Sequence, residues 1–291
     1  MSGEPPLSDP PRDAAPPGAG APPVGTPPPE RPVREIVPED PWAHRRGEPR
    51  VFAFLWTMFL FGATAATFVM AISMGIATPD VMRPASRMLL AITALGIAVL
   101  WPMVRLSQLP DPHPISGAIQ DLIVVLIPTQ AVVWPQWLGW LGRWPVPVVG
   151  ALSAMLAAWA ILVGGLLVLA QAGMLRVEQR HDRPAPSPWT GRTNWMALFV
   201  GLTLCGALGP LLTGGAGSDP YANRTLWMCS PITAVFELTR NRAWTGTAAT
   251  VAAVHWWAIT AVAAAGIGAW AVGIWRVRGL EEQARLHYGS R

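Results

Sequence analysis

Lysine is absent from this chain of 291 residues, in which arginine supplies all 21 basic side chains. A phosphate-binding loop of the Gly-Lys-Ser/Thr type requires a lysine, and so does a Schiff base, so both kinds of site are excluded. Charge is scarce as well, because charged residues make up 13% of the chain and hydrophobic residues 52%. Charged residues supply about a quarter of an ordinary soluble domain. The composition is therefore typical of a protein that faces lipid.

Cysteine is also rare, with only Cys205 and Cys229 present. Two cysteines, one of them inside an apolar segment, form neither a disulfide framework nor a zinc-binding pattern. The sequence pI of about 10 reflects arginines distributed over short loops. A nucleic-acid site would need basic residues gathered into one patch, so we expect no nucleic-acid partner.

Histidine is too sparse for a bis-histidine haem within the membrane. One histidine, His255, lies in an apolar segment, while the other four fall in predicted loops or tails: His44, His113, His181 and His287. We therefore predict no cofactor and no metal. No catalytic motif is recognisable either, so we do not expect an enzyme.

The N-terminal region is rich in proline, with 13 prolines among residues 1–40 and no apolar segment. Such a composition cannot bury enough surface to offset the loss of backbone entropy. We predict a disordered cytoplasmic tail over residues 1–42, a transmembrane domain over 43–278 and a short cytoplasmic tail over 279–291.

The transmembrane domain contains six apolar segments with the length of membrane-spanning helices. They predict an all-α integral membrane protein, a six-span helical bundle. The predicted spans are 51–77, 88–104, 118–134, 146–172, 195–212 and 248–275. A further amphipathic piece at 225–238 is too short to cross, and we expect an interfacial or re-entrant helix there.

Arginine counts in the loops give the predicted orientation. With six spans, and with Arg12 left out as too far from the membrane, one side carries six arginines and the other fourteen, a bias that places the arginine-rich side in the cytoplasm. We call that side the inner side. Its arginines are Arg31, Arg34, Arg45, Arg46, Arg50, Arg105, Arg176, Arg180, Arg183, Arg192, Arg276, Arg278, Arg285 and Arg291. The bias and the composition predict a bacterial inner-membrane protein with both termini in the cytoplasm.

Three polar side chains within predicted spans are candidates for a substrate path: His255, Asp121 and Gln130. Polar groups at membrane depth are expensive and often functional. Each also has a structural interpretation. His255 could donate one hydrogen bond to a neighbouring helix, and Asp121 could reach the headgroups or pair with Arg105.

The C-terminal part resembles the permeases of ABC-2-type exporters. The resemblance rests on Ser230-Pro231-Ile232-Thr233-Ala234-Val235, on the alanine-rich last span and on Trp275-Arg276-Val277-Arg278. It implies a permease-like subunit whose ATP hydrolysis is supplied by a separate chain. The loop after the second span is then a docking surface, with Asp111 and His113 as the candidate contacts.

A second hypothesis is a non-catalytic structural or assembly subunit of a larger membrane complex. The expected partners are membrane lipids, a separate ATPase under the transporter hypothesis, and a homo- or hetero-oligomeric assembly. The two hypotheses differ in a testable way. A transporter needs a polar cavity lined by the candidate residues, whereas a structural subunit uses them for helix packing.

Overall fold

The computed structural model describes residues 49–73, 78–108, 113–179, 188–212, 224–241 and 249–289. The regular secondary structure in these ranges is helical, with short turns between helices and no β-strand. The α-helices are α1 Pro49–Ser73, α2 Pro79–Leu95, α3 Trp101–Ser107, α4 Pro114–Val133, α5 Val146–Gln179, α6 Pro188–Leu212, α7 Pro231–Leu238 and α8 Ala253–Gly289. Short 3-10 helices cover Trp134–Trp137 and Thr225–Cys229. The predicted tail at 1–42 lies outside the described residues.

Five of these helical segments are long and apolar enough to cross a membrane: Arg50–Ser73, Val81–Ser107, Pro114–Trp137, Val146–Arg176 and Ala253–Glu282. The protein is thus an all-helical membrane protein, as the sequence predicts. The predicted span at 195–212 lies within α6, which is helical but not among the five.

The bounds of the last helix differ from the prediction at both ends. Helix α8 begins at Ala253 rather than near 248, and it continues to Gly289 through most of the segment predicted as a tail. His255 consequently lies in the first turn of α8 and not in the interior of a span. The predicted interfacial piece at 225–238 is a 3-10 helix followed by α7.

Helices α2 and α3 form one rod, joined by a π-helical turn at Gly96–Leu100. The turn lies just before Pro102, whose ring displaces the carbonyl four residues earlier and which has no N–H to donate. A wider turn accommodates this proline, and the N–H of Trp101 bonds to the carbonyl of Gly96 instead. Gly96 also lies against α1, since a Cβ there would overlap the ring of Phe59.

The α2–α3 rod and α5 are the most buried helices, with 67% and 61% of their apolar windows buried, whereas α8, at 17%, lies on the outside of α5. Helices α5 and α8 pack closely through glycines. A Cβ on Gly266 would lie 2.8 Å from the backbone nitrogen of Leu162, and the Trp270 indole donates a hydrogen bond of 2.9 Å to the Ile161 carbonyl. Small residues allow such close backbone approach between membrane helices. The outward faces of α1, α4 and α8 remain apolar, as at Phe61, Ile127 and Trp257.

Helix α7 is buried within the protein. Ala234, Val235 and Leu238 are all 0% exposed. The helix packs against α2, α5 and α6. Its start is fixed to α6, because the Ser230 hydroxyl donates to the Thr203 carbonyl over 2.5 Å. The short segment therefore closes one end of the helix bundle, and its single acidic residue lies inside the protein.

Candidate functional site

The inner side of the bundle contains a buried ion pair between Arg105 of α3 and Asp121 of α4, which we call the inner ion pair. The guanidinium and the carboxylate meet through two N–H···O contacts, from Nε to Oδ2 and from Nη2 to Oδ1. The two side chains are 8% and 3% exposed. This is the bidentate geometry that makes arginine suited to buried carboxylates. Asp121 was predicted either to reach the headgroups or to pair with Arg105, and the structure shows the ion pair with Arg105.

Further contacts surround the inner ion pair. The indole N–H of Trp101 lies 3.4 Å from Oδ2 of Asp121, and Arg105 donates from Nη1 to the Gln108 side chain over 2.7 Å. The guanidinium also stacks over the ring of Phe52, 5.0 Å from its centroid. Because Phe52 belongs to α1, the pair connects three helices. A charge held in this way is well suited to fixing helix positions.

The candidate Gln130 contacts the next helix. The Ser153 hydroxyl of α5 donates a hydrogen bond of 2.5 Å to its side-chain oxygen. Both residues are partly buried. The contact is therefore an interhelical hydrogen bond of the kind that supports packing in membranes.

A second buried charged site lies at the other end of the bundle and centres on Glu237 of α7. We call Glu237, Arg240 and His255 the outer cluster. The Glu237 carboxylate accepts a hydrogen bond of 3.2 Å from the backbone N–H of Arg224. Its Oε2 lies 3.5 Å from Nε of Arg240, and its Oε1 lies 3.5 Å from Nε2 of His255. One carboxylate thus joins three separate segments of the chain.

His255 has a defined tautomer in this arrangement. The backbone N–H of Ala252 donates a hydrogen bond of 3.0 Å to Nδ1, so that nitrogen carries no proton. The neutral ring therefore bears its proton on Nε2, which faces Glu237. The Ala252 carbonyl in turn accepts a hydrogen bond of 3.0 Å from the backbone N–H of His255. This arrangement is half of a capping box, in which the imidazole takes the place usually held by Glu or Gln, because Ala252 has no side-chain acceptor for the N–H of His255.

Arginines of α2 reinforce the outer end. Arg87 donates from Nη2 to the Thr239 carbonyl over 2.5 Å and from Nε to its hydroxyl oxygen over 3.2 Å. Carbonyls at a helix C-terminus lack partners within the helix, so a cation there satisfies the end of α7. Arg83, one turn earlier, donates to the Gly142 carbonyl over 3.0 Å.

Only one of the two predicted docking residues lies in the described part of the chain. His113 precedes the first turn of α4 and is exposed, while Asp111 lies outside the described residues. Among the predicted path residues, Asp121, Gln130 and His255 are each directed at a different partner and do not meet. Sequence analysis did not single out Glu237 as a site residue, and it considered Arg105 only as a possible partner of Asp121.

The chemistry available at these sites is mainly electrostatic. Within the described ranges, no group of three His, Cys, Asp or Glu side chains is arranged to hold a metal ion. Comparison with protein-family models, curated proteins and solved structures gives no match. The function must therefore be inferred from the placement of the buried polar groups, each of which binds one part of the helical bundle to another.

Proposed function

We propose that this chain is a non-catalytic subunit of a larger membrane complex in the bacterial inner membrane. The observation that carries the proposal is that each of the three predicted path residues is directed at a group on a neighbouring element. Asp121 binds Arg105, Gln130 binds Ser153, and His255 faces Glu237. Groups that line a transport path must exchange their partners with a substrate. Groups bound to neighbouring helices instead serve to hold those helices in place.

The apolar outer surfaces agree with a role in assembly. Only 24% of the apolar window of α1 and 22% of that of α4 are buried within the chain. Large side chains such as Phe54, Phe61 and Ile127 point outward from these helices. In the membrane such faces contact either lipid or the helices of another subunit. A subunit that contributes packing rather than chemistry needs surfaces of this kind.

The proposed topology has six spans, with α6 as the fifth and both termini in the cytoplasm. Fourteen of the arginines near the membrane then lie inside and six outside, which follows the positive-inside rule. Reporter fusions at Arg180 and Arg285 should read cytoplasmic, and fusions at Pro79 and Gly217 should read external. A five-span chain without α6 would give the opposite result at Arg285.

Copurification tests the proposed function. Extracted from its native membrane in mild detergent, the chain should bring down other integral subunits in a fixed stoichiometry. The same complex should survive a wash that removes peripheral proteins. Recovery of the chain alone, with no integral partner, would contradict the proposal.

A permease-like subunit is the second candidate, because the ABC-2 resemblance includes a short external helix before the last span. Helix α7 has that position, between α6 and α8. Under this hypothesis a separate nucleotide-binding protein should copurify, and the charge change Asp111→Asn should weaken its association. The purified chain alone should not hydrolyse ATP. Recovery of integral subunits without an ATPase would favour the first proposal.

A further inference from the structure

A cleft of about 440 Å³ opens between α5 and α8 at the inner end of the bundle. Four of its seven lining residues come from α8 and three from α5. They are Ala172, Gly173, Arg176, Trp275, Arg276, Gly279 and Leu280. The lining of the cleft includes none of the buried charged groups described above. It therefore needs its own explanation.

The cleft is positively charged, since Arg176 and Arg276 are its charged lining residues. Both arginines are exposed, as is Trp275, which is 75% exposed. The membrane-spanning windows of the two helices end at Arg176 and Glu282. The cleft therefore lies where the apolar part of α5 gives way to polar sequence, which is the level of lipid headgroups. An exposed tryptophan is most favourable at that level.

We propose that this cleft binds the headgroup of an anionic phospholipid. The phosphate would lie between the guanidinium groups of Arg176 and Arg276, which can hold phosphate oxygens through paired N–H donors. Basic pockets between membrane helices on the cytoplasmic side are suited to such headgroups. A free anion could use the same two arginines. The lipid is favoured because an apolar surface continues outward from the cleft.

That surface runs along one row of α8. Val272, 44% exposed, lies one turn from Arg276, and Gly268 lies one further turn away. Residues four apart share a helix face, so the row leads from the cleft toward the membrane centre. A Cβ added to Gly268 would meet no atom within 4 Å. An acyl chain can therefore lie along this row while the headgroup occupies the cleft.

The glycines of the cleft provide a way to fill it. A Cβ added to Gly173 or Gly279 would also meet nothing within 4 Å. Substitution by leucine at Gly173 therefore places a side chain in the cleft without a clash at its Cβ and without changing any charge. This separates the shape of the site from its charge, which arginine substitutions alone cannot do.

Native mass spectrometry tests the proposal by measuring which lipids stay bound to the full chain. The chain is released from micelles that contain equal amounts of phosphatidylglycerol and phosphatidylcholine. The wild-type chain should retain phosphatidylglycerol preferentially. The double variant Arg176→Gln/Arg276→Gln should lose affinity for it by about 25-fold, since each arginine near the surface contributes about fivefold. The control variant Arg50→Gln/Arg278→Gln changes the same number of exposed arginines outside the cleft and should lose far less.

Gly173→Leu should reduce retention of phosphatidylglycerol as well, while leaving the thermal unfolding midpoint of the protein unchanged. Soluble glycerol phosphate at millimolar concentration should not displace the lipid. Equal losses in the cleft variant and its control would show only general attraction between charges, and would overturn the proposal. Full displacement by glycerol phosphate would show an anion site without lipid specificity, and would overturn it too.

Discussion

The inner ion pair and the outer cluster differ in how they connect the chain. Arg105 and Asp121 are 16 residues apart on consecutive helices and meet through two direct contacts. Glu237 instead gathers Arg224, Arg240 and His255 from three segments at distances of 3.2 to 3.5 Å. The first site fixes one helix against another. The second joins the two ends of the 224–241 segment, which contains α7, to the first turn of α8.

This difference between the two sites predicts that single substitutions lower the stability of the protein by different amounts at each site. A charge left without its partner in a buried pair is strongly destabilising, because desolvation is no longer compensated. A cluster with several longer contacts distributes the same loss among its members. The inner ion pair should therefore be the more sensitive of the two, and the following tests are ordered by the size of effect that we expect.

The largest effect is expected from Asp121→Asn or Arg105→Gln alone. Each should lower the free energy of unfolding by about 3–5 kcal/mol, because each leaves one buried charge without its partner. A steric-trapping assay of unfolding in detergent would measure the loss in the free energy of unfolding. The double variant Arg105→Met/Asp121→Leu is the control, and it should lose less than either single change. Single variants as stable as the wild type would contradict the importance of this pair.

Glu237→Gln should have a smaller effect, a loss of roughly 1.5–3 kcal/mol in the free energy of unfolding. The amide can still accept from the Arg224 backbone, but it no longer balances Arg240. Glu281→Gln, an exposed position on α8, is the matched control and should be silent. The same assay applies. A loss larger than that of Asp121→Asn would reverse the comparison between the two sites.

Gly206→Ala tests how closely the outer cluster depends on α6. A Cβ at Gly206 would overlap Oγ1 of Thr233 and lie 2.6 Å from Cβ of Ser230, at the start of α7. We expect a loss of about 1–2 kcal/mol, since α7 is short and can shift to relieve part of the overlap. Gly201→Ala on the same helix meets nothing within 4 Å and should be neutral or slightly stabilising. The thermal unfolding midpoints of the two variants would be compared in a temperature scan.

The smallest effect is expected from His255→Gln. Glutamine is a natural capping-box residue, so it can accept from the Ala252 N–H and still present an N–H toward Glu237. His255→Ala should lose about 1 kcal/mol, because the cap is removed, whereas the glutamine variant should lose less than half of that. If His255→Gln abolished the function of the assembled complex at normal stability, the residue would have a chemical role beyond the cap.

Much of the helical architecture could be predicted from the sequence, because apolar segments of about 20 residues have few alternatives to crossing a membrane. The pair between Arg105 and Asp121 was among the predicted alternatives, since both residues lie near the same ends of adjacent spans. The burial of α7 was not predicted. Its amphipathic sequence is typical of a helix on the membrane surface, and its contacts with α2, α5 and α6 cannot be inferred from that pattern.

The contact of His255 with Glu237 could not be predicted either. The two residues are separated by a segment without periodicity, so sequence spacing gives no distance between them. The start of α8 was placed five residues too early, because Ala248 to Ala252 are as apolar as the helix that follows. Hydropathy does not locate a helix start. Capping residues locate a helix start, and a histidine is an uncommon capping residue.

The π-helical turn at Gly96–Leu100 has a consequence for how this chain can tolerate insertions and deletions. In an uninterrupted α-helix, residues 18 apart share a face, as Arg87 and Arg105 would. The wide turn offsets them, so that one end of the same rod reaches Thr239 while the other reaches Asp121. A π-helical turn contains one more residue than an α-helical turn, so loss of a single residue such as Ala98 would convert it to an α-helical turn and leave the two ends in nearly the same relative orientation. Loss of two residues has no such compensation. The helix would remain apolar and long enough to span, yet its ends would be turned by roughly 100° and could no longer both bind their partners.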